Sequence, residues 1–223
     1  MKYPANNKAL HEARIYANES ISFTADFNGW QDGKNKYQRI LTGRFCQAWL
    51  TQLMTINGIP CTGDQSSPYT EDSGDLHING WNIDCKASIH RNLAGQISKT
   101  FDSSKNSIDF YCFFFTDVAC NFIEPLGFIE KKKVLELSQR VNCGETIPGT
   151  TFTQRFDYSY FVDLDKIRPF NETINSLKQH AKSGNVIKFE SRKATKQSKP
   201  DKPSQPESTK EVDVDKWRED FGA

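Results

Sequence analysis

Asn79-Gly80 constrains the fold of this chain more than any other pair of residues. Both positions of a type I′ turn need positive φ, so a two-residue loop of this composition is the strongest short-range hairpin signal. The flanks, Asp75-Leu76-His77-Ile78 and Trp81-Asn82-Ile83-Asp84-Cys85-Lys86-Ala87-Ser88, alternate in polarity as half-buried strands do. Counting outward from the turn sets the register: Ile78 opposite Trp81, His77 opposite Asn82, Leu76 opposite Ile83, and Asp75 opposite Asp84. One face then carries Leu76, Ile78, Trp81, Ile83, Cys85 and Ala87. The other carries Asp75, Asp84 and Lys86.

That polar face has a chemistry. Directly opposed side chains in an antiparallel pair have Cβ atoms roughly 4.5–5.5 Å apart, and like charges placed there repel. Lys86 follows Asp84 on the same face, about 6.6 Å along the strand. Two carboxylates held so close invite a cation between them. Mg²⁺ suits the place, being typically held by one or two carboxylates, waters and a substrate phosphate. The plainer alternative is a solvated hairpin with a few surface charges.

Asp75, eight residues, then Asp84-Cys85-Lys86 resembles the Asp…(Asp/Glu)-x-Lys signature of the PD-(D/E)xK nuclease superfamily, with Gly74 in place of the proline. Acid-x-Lys occurs three times in the chain, at Asp32-Gly33-Lys34, Asp84-Cys85-Lys86 and Glu130-Lys131-Lys132, but only the middle copy lies on an amphipathic strand with a second acid paired to it. The resemblance implies a restriction-endonuclease-like α/β fold, a mixed central sheet flanked by helices, spanning about residues 36–170. It implies Mg²⁺, with Mn²⁺ as a substitute, held by Asp75, Asp84 and the main-chain carbonyl of Cys85. Lys86 is then the catalytic lysine, and the activity is hydrolysis of DNA phosphodiester bonds. In many members the helix before the hairpin carries a further acid; here the candidate positions hold Arg44 and Gln47. Two other functions stay open: a non-catalytic nucleic-acid-binding or adaptor protein on the same fold, and a structure-specific junction resolvase, which needs a homodimer.

The rest of the chain is read in order. A short helix is predicted near 6–17, and a loop or edge strand around 20–24. From Lys34 to Ile56 the apolar residues Tyr37, Ile40, Leu41, Phe45, Ala48, Trp49 and Leu53 keep helical spacing, and Asn57-Gly58 with Pro60 ends the helix. Residues 60–74 read as a loop, in which Glu71 and Asp72 are spare carboxylates. Leu93, Ile97 and Phe101 predict a helix over 92–104. That helix would present Arg91, Gln96 and Lys99, with Ser88 just before it, as phosphate contacts beside the metal site. Ile108–Thr116 is a continuous apolar run, which predicts a central strand covered on both faces. Strands are expected at 121–130, interrupted near Glu124-Pro125, and at 158–164. Helices are expected at 131–139 and 172–182.

Composition closes several doors. Only 36% of the 223 residues are hydrophobic, and a Lys/Ser/Pro-rich stretch from about Glu190 explains part of that. Residues 190–223 read as a disordered tail, with Val212, Val214, Trp217 and Phe221 as a short docking peptide for a protein partner, after a folded domain at 1–189. A formal net charge of +1 means that DNA affinity has to come from a local basic face. The six cysteines form no CxxC pair and no zinc spacing, so they read as reduced thiols of a cytoplasmic protein. No apolar run or leader pattern points to a membrane.

Overall fold

The computed structural model describes residues 1–21, 33–63, 75–103, 107–155 and 157–182. The possible strand around 20–24, Glu71, Asp72 and the tail expected at 190–223 lie wholly or mostly outside these residues. In chain order the elements are β1 (Tyr3–Pro4), α1 (Asn7–Ser20), α2 (Gly33–Ile56), β2 (Cys61–Gly63), β3 (Leu76–Ile78), β4 (Trp81–Ser88), β5 (Gln96–Ser98), β6 (Phe110–Phe115), β7 (Phe122–Glu130), α3 (Val134–Leu137), β8 (Ser138–Asn142), β9 (Tyr158–Val162), β10 (Arg168–Pro169) and α4 (Phe170–Lys182). The result is a mixed α/β fold. A main sheet runs β1-β7-β6-β4-β3-β2, with β10 added to β7, and a small sheet runs β5-β9-β8.

The hairpin forms as its sequence dictates. Asn79 and Gly80 take φ of 51° and 86°, and the ladder pairs Leu76 with Ile83, His77 with Asn82 and Ile78 with Trp81. β4 then runs parallel to β6 and β6 antiparallel to β7, which sets β4 in the middle of the sheet. β6 is buried on both faces, as its unbroken apolar run requires. Cys112 and Phe114 enter one core with the α1, α2 and α4 side chains; Tyr111 and Phe113 enter a second with Ile97, Phe101 and Tyr160 from the side of the small sheet.

The two long helices follow local rules. Asn6 caps α1 by accepting from the N–H groups of Lys8 and Ala9 at 2.9 and 3.4 Å. Ala9, Ala13 and Ala17 form its buried stripe, and α1 packs mainly on α2. α2 stops at Asn57-Gly58, where Gly58 takes φ of 66° and its N–H reaches Thr55 O at 3.0 Å.

Four expectations need correction. The helix over 92–104 does not form: Arg91–Leu93 and Lys99–Asp102 are 3₁₀ turns on either side of β5. Gly95 is the reason. Its carbonyl accepts the Val162 N–H at 3.0 Å, and a Cβ at Gly95 would lie 2.6 Å from the Val162 carbonyl, so the backbone here belongs to the β9 edge. The helical spacing was accidental, since Leu93 packs with Val141 and Phe161 while Ile97 and Phe101 enter the second core. The predicted helix 131–139 shortens to α3 after a 3₁₀ turn, because Ser138 and Gln139 pair with Val162 and Phe161 in the small sheet. β7 is not interrupted at Glu124-Pro125; Leu126 is an extra residue between the Phe113–Gly127 and Phe114–Pro125 pairs, a bulge that also accommodates the proline. Residues 61–63, expected as loop, form the edge strand β2.

The backbone contacts make a paired prediction. Gly43, inside α2, has open space where a Cβ would stand, so Gly43→Ala should raise the melting temperature, by about 0.5–1 kcal/mol of stability. Gly95→Ala should lower stability by about 2 kcal/mol or more, because the new methyl meets main chain that cannot swing away. Thermal denaturation of both variants tests the β5–β9 docking; equal shifts would refute it.

Candidate active site

The structure gathers Asp75, Asp84 and Lys86 at the end of the hairpin remote from the turn. Asp84 and Lys86 stand on β4 beside Tyr111 and Phe113 of β6. Asp84 is only 5% exposed, and its Oδ2 lies 2.7 Å from Lys86 Nζ. The Lys86 ammonium also sits 6.0 Å from the centre of the Tyr111 ring. An ionised carboxylate is costly to bury unless paired and hydrogen-bonded, and Lys86 provides the pairing.

Asp75 is held differently. The β3–β4 ladder ends at Leu76–Ile83, and the Asp75 N–H donates to Ile83 O at 2.9 Å, so Asp75 is not in simple register with Asp84. The side chain still comes back to the site. Its Oδ2 accepts the Cys85 N–H at 2.7 Å, and its carboxyl is hydrogen-bonded to that of Asp84. A bond between two carboxyls needs a proton on one of them. Burial, then the Asp84 charge, push the Asp75 carboxyl up to about 7, against the opposing pull of Lys86 and the Cys85 N–H. A proton on Asp75 removes one negative charge from a cluster of two acids and one lysine.

The donor set fits a hard divalent ion of the Mg²⁺ kind. Two carboxylates converge, and such an ion takes its other ligands from water and phosphate. Among the described residues no three His, Cys, Asp or Glu side chains gather as ligands of one ion. The Cys85 thiol is buried in the first core, and burial pushes its pKa well up, so only the main chain of Cys85 belongs to the site.

A cleft of about 180 Å³ opens beside Asp75 between α1 and α2. Arg44 and Gln47, the helix positions singled out in the sequence, both line it. Gln47 is buried, its Oε1 accepts from Arg44 Nη1 at 2.8 Å, and Arg44 Nη2 donates to the Tyr16 hydroxyl at 2.5 Å. The guanidinium also stacks on the Tyr16 ring at 3.7 Å. Sequence reasoning missed Glu12 and Tyr16, which reach the same cleft from α1. The alanine stripe of α1 showed which face it buries, but nothing local showed that α1 would lie beside the hairpin.

The four expected phosphate contacts do not form one helical face. Ser88 ends β4, where its hydroxyl donates to His90 O at 2.9 Å and accepts the His90 N–H at 3.0 Å. Arg91 forms an ion pair with Glu124. Gln96 lies on β5 and donates to Ser159 Oγ at 3.0 Å, and Lys99 pairs with Asp157 at 2.6 Å. Among the described residues no helix is long and apolar enough to cross a membrane. No protein-family model, curated protein or solved structure matches the chain.

The Asp75 proton has a measurable consequence. A carboxyl whose folded pKa lies above its unfolded value of ~3.9 favours the folded state most below that lower value. The contribution is lost as pH rises through about 7. In EDTA, wild-type stability should therefore fall as pH rises from about 4 to about 7, by an amount on the order of a few kcal/mol at most, and level off above. Asp75→Asn keeps the acceptor for Cys85 but cannot ionise, and its melting temperature should stay level across that window. Parallel pH profiles of the two proteins would show that Asp75 does not carry the proton.

Proposed function

We propose that the chain is a divalent-metal-dependent nuclease of PD-(D/E)xK type, hydrolysing DNA phosphodiester bonds. The observation that carries this is the convergence of Asp75, Asp84 and Lys86, with Lys86 Nζ 2.7 Å from Asp84 and Asp75 hydrogen-bonded to both Asp84 and Cys85. A central mixed sheet flanked by helices is compatible with the restriction-endonuclease-like architecture that the signature implies. Asp75 and Asp84 would hold Mg²⁺ or Mn²⁺, with the Cys85 carbonyl as a further oxygen. When bound, such an ion lowers the pKa of its water and neutralises charge on the scissile phosphate. Lys86 orients the attacking water and stabilises the negative charge that develops. The Cys85 N–H fixes one Asp75 oxygen and leaves the other for the site.

Arg44, which lines the cleft beside Asp75, is placed to meet a phosphate. Its guanidinium is bonded to Gln47 and Tyr16, both neutral, whereas Arg91 and Lys99 are matched with carboxylates. Arg44→Gln should therefore weaken DNA affinity at least about tenfold, the scale of one lost charge-assisted contact, and Lys99→Gln should change it little. Binding titrations with the two variants at one salt concentration decide this; the reverse order would move the DNA path to the small sheet.

The nuclease reading is tested on plasmid, linear, single-stranded and four-way-junction DNA with Mg²⁺ or Mn²⁺. Lys86→Ala should cut turnover by at least about a hundredfold, while Mg²⁺ still raises its melting temperature. Asp84→Asn should lose both cleavage and the Mg²⁺ shift. No metal-dependent cleavage of any substrate by wild type, or undiminished cleavage by Lys86→Ala, would overturn the assignment.

A further inference from the structure

The other end of β4 opens into a second and larger cavity, of about 490 Å³, bounded by α4 on one side. Its apolar wall is built on Trp81 and Phe110, whose rings meet edge to face at 4.9 Å, and continues over Phe128 and Leu177. Close-packed interiors leave few voids larger than a water, whereas ligand pockets occupy about 300–1,000 Å³. A gap of this size with aromatic walls has the volume and lining of a ligand pocket.

The rim defines the ligand's charge. Arg168 Nη2 donates to the Ser176 hydroxyl at 2.7 Å, and Lys133 stands exposed at the edge. Neither forms an ion pair among the described residues, in contrast to the neighbouring Lys132, paired with Glu130 at 2.6 Å, and Lys166, paired with Asp163 at 2.8 Å. Thr173, in the first turn of α4, also lines the cavity, as do two carboxylates, Glu172 and the Lys132-paired Glu130. Glu172 supplies one acceptor for a donor on the ligand. A flat ring, an anionic group and a hydrogen-bond donor are what this cavity can satisfy together. We propose that it is a nucleotide-binding site, with the base against the Trp81–Phe110 wall and the phosphate at Arg168 and Lys133.

The nucleotide could arrive free or as the phosphorylated end of a strand, and the site needs neither Asp84 nor a metal. The experiment uses the full chain in EDTA. Calorimetric titrations compare nucleoside 5′-monophosphates, the matching nucleosides, inorganic phosphate and a 5′-phosphorylated pentanucleotide. The monophosphates should bind at least about tenfold more tightly than nucleoside or phosphate alone, since each half of the site contributes. The double variant Arg168→Gln/Lys133→Gln should lose at least about tenfold in affinity with an unchanged melting temperature. Asp84→Asn should bind as wild type does. Tighter binding of the pentanucleotide assigns the site to a strand end, and a preference for the mononucleotide assigns it to a free nucleotide. Failure of every nucleotide to bind at millimolar concentration overturns the proposal. So does phosphate binding as tightly as nucleotide, or binding that survives the double variant. Loss of binding in Asp84→Asn places the nucleotide elsewhere and also overturns it. Absence of metal-dependent DNA cleavage with nucleotide binding intact would sink the nuclease reading alone.

Discussion

Positive φ at Asn79 and Gly80 decides which face of β4 each side chain occupies. In a strand the side-chain period is two, so a slip of one residue exchanges the faces completely. Such a slip would drive Asp84 and Lys86 into the core made with α2 and bring Ile83 and Cys85 out of it. The turn residues prevent this, because they set Ile78 against Trp81 and leave no register freedom in a ladder of three pairs. β4 passes that register to β6 in six parallel pairs, from Ile83–Phe110 to Ser88–Phe115. The two cores on either side of β6 follow, one under the helices and one under the small sheet.

Within that frame the acidic cluster is an electrostatic compromise. Asp84 is buried beside the Tyr111 and Phe113 positions of β6, where an uncompensated charge would be strongly destabilising. Lys86, one pleat further on, supplies the compensation at 2.7 Å. Asp75, its carboxyl pushed up to about 7, is stabilised instead by a proton and by the Cys85 N–H. The two acids therefore differ through their environment and not through their chemistry: one is neutralised by a lysine, the other by a proton.

Features written within a few residues were legible in the sequence; features written by distant packing were not. The hairpin pairs, the end of α2 at Asn57-Gly58 and the double burial of β6 follow from turn chemistry, capping and an unbroken apolar run. The juxtaposition of Asp75 and Asp84 was legible too, although Asp75 reaches it from outside the ladder, with its N–H on Ile83 O. The small sheet was not legible, because its strands are short and Leu93, Ile97 and Phe101 imitate a helix. The deciding residue there was Gly95, whose missing Cβ matters only when β9 arrives 67 residues later, as Val162. Glu12 and Tyr16 were invisible for the same reason, since their place beside Asp75 depends on how α1 docks on α2.

The proton on Asp75 links the fold to the proposed chemistry. A cation that needs both carboxylates ionised must displace that proton, so binding and deprotonation are one event. The obstacle is modest, because the raised value of about 7 lies near neutral pH and not far above it. A site built from two aspartates alone would repel itself more strongly, and one with a second lysine would leave a cation little to gain. One lysine, one proton and one backbone N–H compensate the two acids without an ion; in the proposed function a cation would take the place of that proton. Lys86 is the residue that balances these demands, since it lowers the cost of burying Asp84 and also opposes the rise at Asp75.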